Sequence, residues 1–88
     1  MKKLNIVLEN KTGLHARPAS MLVEVAKDFE SDIKIELNEQ TYVAKSMMSI
    51  LSMGATEGSE LTFLIDGSDE DQAYDALEKL FNSNFGEK

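Results

Sequence analysis

Residues 32–37 alternate without exception, Asp32, Lys34 and Glu36 against Ile33, Ile35 and Leu37. A strand of that period turns one face to water and the other to a core, so the chain must cover one side of a sheet and leave the other open. The same signature recurs at Leu61, Phe63 and Ile65, ended by Asp66-Gly67, and more loosely at Leu4, Ile6 and Leu8 within residues 3–9. Asn38-Glu39 is a short turn, which brings 40–44 back as the second strand of a hairpin.

Three segments of helical period supply the cover. In residues 16–29, Leu22, Val25, Ala26 and Phe29 fall at i, i+3, i+4 and i+7, with Ala19 and Met21 alongside. Residues 47–53 form a short helix that Ser46 caps and Gly54 ends. A last helix over 70–82 turns Ala73, Ala76, Leu77 and Leu80 inward. Asp69, Glu70 and Asp71 suit its positive end, and a capping box is open to it in two registers, Ser68 with Asp71 or Asp69 with Gln72. The order is βαββαβα, with no repeat, linker or low-complexity tract, and the class is α+β, one sheet with its helices on a single face. Eighty-eight residues make one domain, 1–88.

Composition removes several function classes. There is no cysteine and only one histidine, so disulfides are excluded and the usual zinc ligand sets are missing. No metal or cofactor is expected. The apolar run Leu4–Leu8 is too short for a signal sequence or a membrane span, and a cytoplasmic protein is expected. A net charge of −7 argues against nucleic-acid binding. That charge is uneven. Residues 1–53 hold seven acids and seven bases, whereas residues 54–88 hold nine acids and only Lys79 and Lys88 as bases. The neutral half can carry a local basic patch that steers an acidic partner.

That half contains the single histidine, the single arginine and the single proline, all within Gly13-Leu14-His15-Ala16-Arg17-Pro18-Ala19. His15 is a nucleophile suited to neutral pH. Arg17 can fork onto phosphate oxygens. Pro18 suits the first turn of a helix, where free N–H groups favour an anion. His15 falls at or next to the N-cap, and Gly13 stands where the preceding loop calls for positive φ. The cluster reads as a phosphoryl-carrying site. The residues alone do not choose between the two ring nitrogens.

The motif Thr12–Ala19, the βαββαβα order and the Lys45-Ser46 segment together resemble the HPr family. Its members are the histidine-containing phosphocarriers of the bacterial phosphoenolpyruvate-dependent sugar phosphotransferase system. The resemblance spans essentially the whole chain. It implies an open-faced sandwich of four antiparallel strands and three helices. It implies that His15 is phosphorylated on Nδ1 by phospho-enzyme I and donates to the A component (enzyme IIA) of sugar permeases. Arg17 then neutralises the phosphoryl oxygens, and Thr12 and Ala16 border the site. Such a protein is a carrier and not an enzyme, and a monomer.

The resemblance further implies regulatory phosphorylation of Ser46 by an ATP-dependent HPr kinase/phosphorylase. The phosphoserine form then binds a catabolite-control transcription regulator, the route to carbon catabolite repression. The short helix looks closer to the Gram-positive type, although Ser49 stands where many of those relatives have glycine. Met47, Met48 and Leu51 are the candidate docking residues, with Met48 and Leu51 turned outward and Ile50 inward. Three functions stay open at this level: a general carrier of sugar uptake, a carrier in a regulatory phosphotransfer branch, and a transcription-regulating binding module acting through Ser46.

Overall fold

The computed structural model describes residues 1–86. Glu87 and Lys88, the end of the expected 1–88 domain, lie outside the described residues. The elements run β1 (Lys2–Val7), α1 (Ala16–Lys27), β2 (Asp32–Leu37), β3 (Gln40–Val43), α2 (Met47–Met53), β4 (Glu60–Asp66) and α3 (Glu70–Asn82). A 3-10 turn, Asn84–Gly86, follows. The strands form one antiparallel sheet in the order β1-β4-β2-β3. The expected open-faced α+β sandwich is therefore the observed fold.

Alternation decides the two faces. Leu61, Phe63 and Ile65 of β4 are buried, as are Ile33, Ile35 and Leu37 of β2. Register places them in rows across the sheet, Leu4 opposite Phe63 and Phe63 opposite Ile35. On the other face Thr62 Oγ1 donates to Asn5 Oδ1 at 3.0 Å, a polar pair on the water side. The hairpin between β2 and β3 turns on Asn38 and Glu39, whose φ values of 52° and 69° are those of a primed two-residue turn.

The helices differ from the sequence reading in detail. α1 stops at Lys27 and not at 29, because the amides of Asp28 and Phe29 close the last turn three residues back, onto Val25 at 3.2 Å and Ala26 at 3.3 Å. Its buried stripe is Ala19, Leu22, Val23 and Ala26. Val23, absent from the expected stripe, replaces Val25 at its centre, while Val25 and Phe29 pack at the margin. β1 ends at Val7 and not at residue 9. Leu8 leaves the ladder to exchange backbone bonds with Gly58 and Ser59, at 2.8 and 2.9 Å.

At α3 neither capping box forms. Asp69 is the N-cap, but its carboxylate makes no bond to the helix. It accepts instead from the amides of Glu30 at 2.8 Å and Ser31 at 3.0 Å, and from the Ser31 hydroxyl. A tertiary partner has outcompeted the local one. Gly67 allows this approach, since a Cβ there would meet Ser31 Oγ at 2.5 Å. The core also extends past the expected helix end. Phe81 stacks edge-on against Phe63 at 5.4 Å and against Phe85 at 4.9 Å. Ala73 and Leu77 are buried as expected, whereas Ala76 and Leu80 are only half-buried. Among the described residues no helix is long and apolar enough to cross a membrane.

The bonds from Ser31 and Glu30 hold the Asp69 carboxyl below its ordinary pKa. A lowered folded pKa contributes stability that is present above the unfolded value and lost as pH falls through the folded one. Denaturant titrations should therefore show wild-type stability dropping below about pH 4. Asp69→Asn should be less stable than wild type at pH 7 and should flatten part of that drop.

Candidate functional site

The site is built at the start of α1. Asn10-Lys11-Thr12-Gly13 is a tight turn in which the Gly13 amide donates to the Asn10 carbonyl at 3.1 Å, leaving Lys11 and Thr12 exposed at its corner. Gly13 has φ +69°, as a loop glycine in this position was expected to have. The reason is tertiary as well as local, because a Cβ at Gly13 would lie 2.5 Å from the Ala55 carbonyl oxygen. Leu14 is buried, and its amide donates to that same carbonyl at 3.1 Å. With Gly13 and Leu14 buried, the chain turns outward again at His15.

His15 is the N-cap of α1, in extended backbone at φ −81° and ψ −172°, and its side chain makes no capping bond to the helix. Its carbonyl accepts from the Ala19 amide at 2.9 Å. Ala16 and Arg17 supply the first-turn N–H groups that no helical carbonyl precedes, and Pro18, which has none, is buried beneath them. His15, Ala16 and Arg17 are all exposed. The first turn of α1 contains no acidic residue. An exposed histidine thus caps the positive end of a 12-residue helix, with the exposed Arg17 two residues on, and such a helix end favours an anion.

Ser46 lies at the far end of α2. Its hydroxyl oxygen accepts from the Ser49 amide at 3.2 Å and caps the helix as expected. Ser49 Oγ in turn accepts from the Val43 amide at 2.8 Å, which ties α2 to β3. Lys45 Nζ donates to the Phe29 carbonyl at 2.7 Å, anchoring the same corner to the end of α1. Gly54, in the left-handed region at φ 64°, ends α2. Met48 is 83% exposed and Leu51 44%, one turn apart on the same face, while Ile50 is fully buried and Met47 half-buried. The apolar outward face was read correctly.

The C-terminal end of α2, through Ala55, abuts the loop that carries His15, so the Leu51 end lies nearest the histidine. Ser46 stands at the opposite end of α2, roughly one helix length, on the order of 10 Å, from Gly54. Two participants escaped the sequence reading, the buried side chain of Asn10 and the Ala55 carbonyl. Asn10 had a usable signal, since Asn before a turn commonly bonds to backbone a few residues on. Ala55 had none, because its role is a backbone contact made across the fold. A concavity of about 660 Å³ lined by Glu36, Asn38, Glu39, Ser59, Glu60 and Thr62 lies at the hairpin end and includes no residue of this site. Among the described residues no cluster of three or more histidine, cysteine or carboxylate side chains could hold a metal.

Comparison with known proteins gives a consistent answer. A family profile described as "PTS HPr component phosphorylation site" matches residues 2–83. The phosphocarrier protein HPr of Mycoplasma capricolum is 42% identical over 79 residues, 90% of this chain and 89% of that protein. The crystal structure of HPr-C-His from Thermoanaerobacter tengcongensis superposes with a TM-score of 0.96 at 43% identity, covering 100% of this chain and 99% of that one. The histidine-containing phosphocarrier protein of a Mycoplasma gives a TM-score of 0.89 at 38% identity, over 94% and 96% of the two chains.

Gly13→Ala tests the loop geometry. It adds a methyl group against the Ala55 carbonyl and forces a side chain into left-handed backbone, together costing about 2–4 kcal/mol. Chemical denaturation should show that loss, and the His15 and Ala55 amide resonances should shift more than those of β2.

Proposed function

Because the chain belongs to the HPr phosphocarrier family of the phosphotransferase system, we propose that His15 accepts a phosphoryl group from phospho-enzyme I. His15 then donates it to the enzyme IIA component of a sugar permease. The observation that carries this reading is the exposed imidazole at the N-cap of α1, with Arg17 two residues on. The lone pair of Nδ1 attacks phosphorus, and the bond between phosphorus and the donor breaks with its electron pair leaving to the donor. The phosphoryl dianion then lies beside the Ala16 and Arg17 amides, where the helix dipole favours it, while the Arg17 guanidinium forks onto its oxygens. Ala16 and Thr12 border the site with small side chains that leave the approach open. Because the product is a labile phosphohistidine, the group passes on to the next acceptor. The chain turns over no substrate of its own. Partners supply the remaining positioning and charge.

Those partners dock on Met47, Met48 and Leu51. Exposed methionine and leucine on one helix face make adaptable apolar contacts, and the bond from the Leu14 amide to Ala55, just past the Leu51 end of α2, supports a docking surface that includes the histidine. The carrier works in the cytoplasm as a monomer.

Ser46 is the regulatory site of the same surface, phosphorylated by an HPr kinase/phosphorylase. A phosphoryl group there adds about −1.5 to −2 charges next to Met47 and Met48. That charge repels an acidic partner and gives a catabolite-control transcription regulator a feature to recognise. The capping geometry of Ser46 supports this reading, since a helix N-terminus tolerates added negative charge.

Incubation with phosphoenolpyruvate and enzyme I should give an acid-labile, alkali-stable phosphate on the wild type. His15→Ala should abolish it while leaving the fold intact, and a label retained by that variant would end the assignment. Ser46→Ala should lose about 1 kcal/mol of stability from its cap and all kinase-dependent phosphate, yet still be phosphorylated at His15. Regulator binding that is equally strong with and without phosphate on Ser46 would remove the repression role.

A further inference from the structure

Asn10 is a polar side chain only 4% exposed, in a loop whose other polar residues face water. Its Nδ2 donates to the Gly13 carbonyl at 2.7 Å, and the Gly13 amide donates back to the Asn10 carbonyl at 3.1 Å. The amide of Leu14 donates to the Ala55 carbonyl at 3.1 Å. The Gly13 carbonyl and the Leu14 amide are the two polar ends of one peptide unit, the last complete unit before the one that enters His15. That unit is gripped from one side by the Asn10 carboxamide and from the other by the segment following α2. Turning the unit about its own axis would break both bonds at once. With the Leu14 side chain buried behind it, its orientation sets the direction in which the backbone reaches His15.

We propose that Asn10 is a positioning residue for phosphoryl transfer, holding the Gly13–Leu14 peptide so that the His15 imidazole stands over the first turn of α1. Asn10 acts through the backbone, and the proposal rests on the carrier reading of His15. Transfer in line between two proteins demands ångström-scale placement of the ring, and losing that placement costs up to about 100-fold in rate. The bond is also a buried one, so its donor is not exchangeable for water.

The experiment is steady-state phosphorylation by enzyme I and phosphoenolpyruvate with the full chain as acceptor, comparing wild type, Asn10→Ala and Asn10→Asp. Asn10→Asp keeps the shape but replaces the donating nitrogen by an oxygen that repels the Gly13 carbonyl. Both variants should lower kcat by about 10-fold or more while KM stays within about twofold, because the docking residues on α2 are untouched. A folded variant with unchanged kcat overturns the proposal, and so does a loss confined to KM. Should neither variant fold, the wild type decides. The Asn10 carboxamide resonances should be protected from solvent exchange and should shift when His15 is phosphorylated, and resonances that exchange freely or stay unmoved overturn the proposal. Wild type that takes no phosphate on His15 overturns the carrier reading and this proposal together. Normal wild-type transfer with normal variants overturns this one alone.

Discussion

Everything in this molecule hangs from the inner face of β4. Leu61, Phe63 and Ile65 are buried, with Leu4 and Ile6 of β1 on one side and Ile33 and Ile35 of β2 on the other. Each such side chain contributes about 1.5–3 kcal/mol by leaving water. α3 closes over this face through Phe81, which meets Phe63 edge-on, and Phe85 completes the row. Because the opposite face of the sheet stays wet, all three helices and the loops that lead into them must gather on one side. The His15 loop and α2 are therefore neighbours as a consequence of how the core is covered.

The site itself shows how little a carrier has to build. His15, Ala16 and Arg17 are presented together on an exposed first turn. What the fold invests in is the backbone beneath it. Gly13 lies against Ala55, the Leu14 side chain is driven into the core, and the Leu14 amide is tied to the segment after α2. The exposed residues 15–17 thus stand on a backbone held by contacts within the chain itself. α2 presents its apolar side with the same economy: Ile50 and Met53 are buried in the core while Met48 and Leu51 face outward.

The strands were legible because alternation is a local property, visible in Ile33-Lys34-Ile35 without knowledge of what lies above. Helix existence was legible for the same reason, and Ser46 and Gly54 announced both ends of α2 by their chemistry. The errors fell where a distant group competed for a local one. Asp69 looked like a capping residue but gives its carboxylate to Ser31 and Glu30. Leu8 looked like strand but bonds to Gly58 and Ser59. Phe85 sits in left-handed backbone at φ 56° after the helix has ended, so no periodicity pointed to its burial.

By itself the sequence determined the element order, which faces are apolar, and which side chains can do chemistry. His15, Arg17 and Ser46 are recognisable as types in a pattern, since nucleophile, anion fork and cap are properties of the residues and their immediate spacing. The tertiary structure decided where those groups stand relative to one another. That the chain after α2 abuts the histidine loop and that Asp69 faces Ser31 are contacts between segments tens of residues apart. Such contacts follow from how the sheet is covered, and no short window of sequence contains both partners.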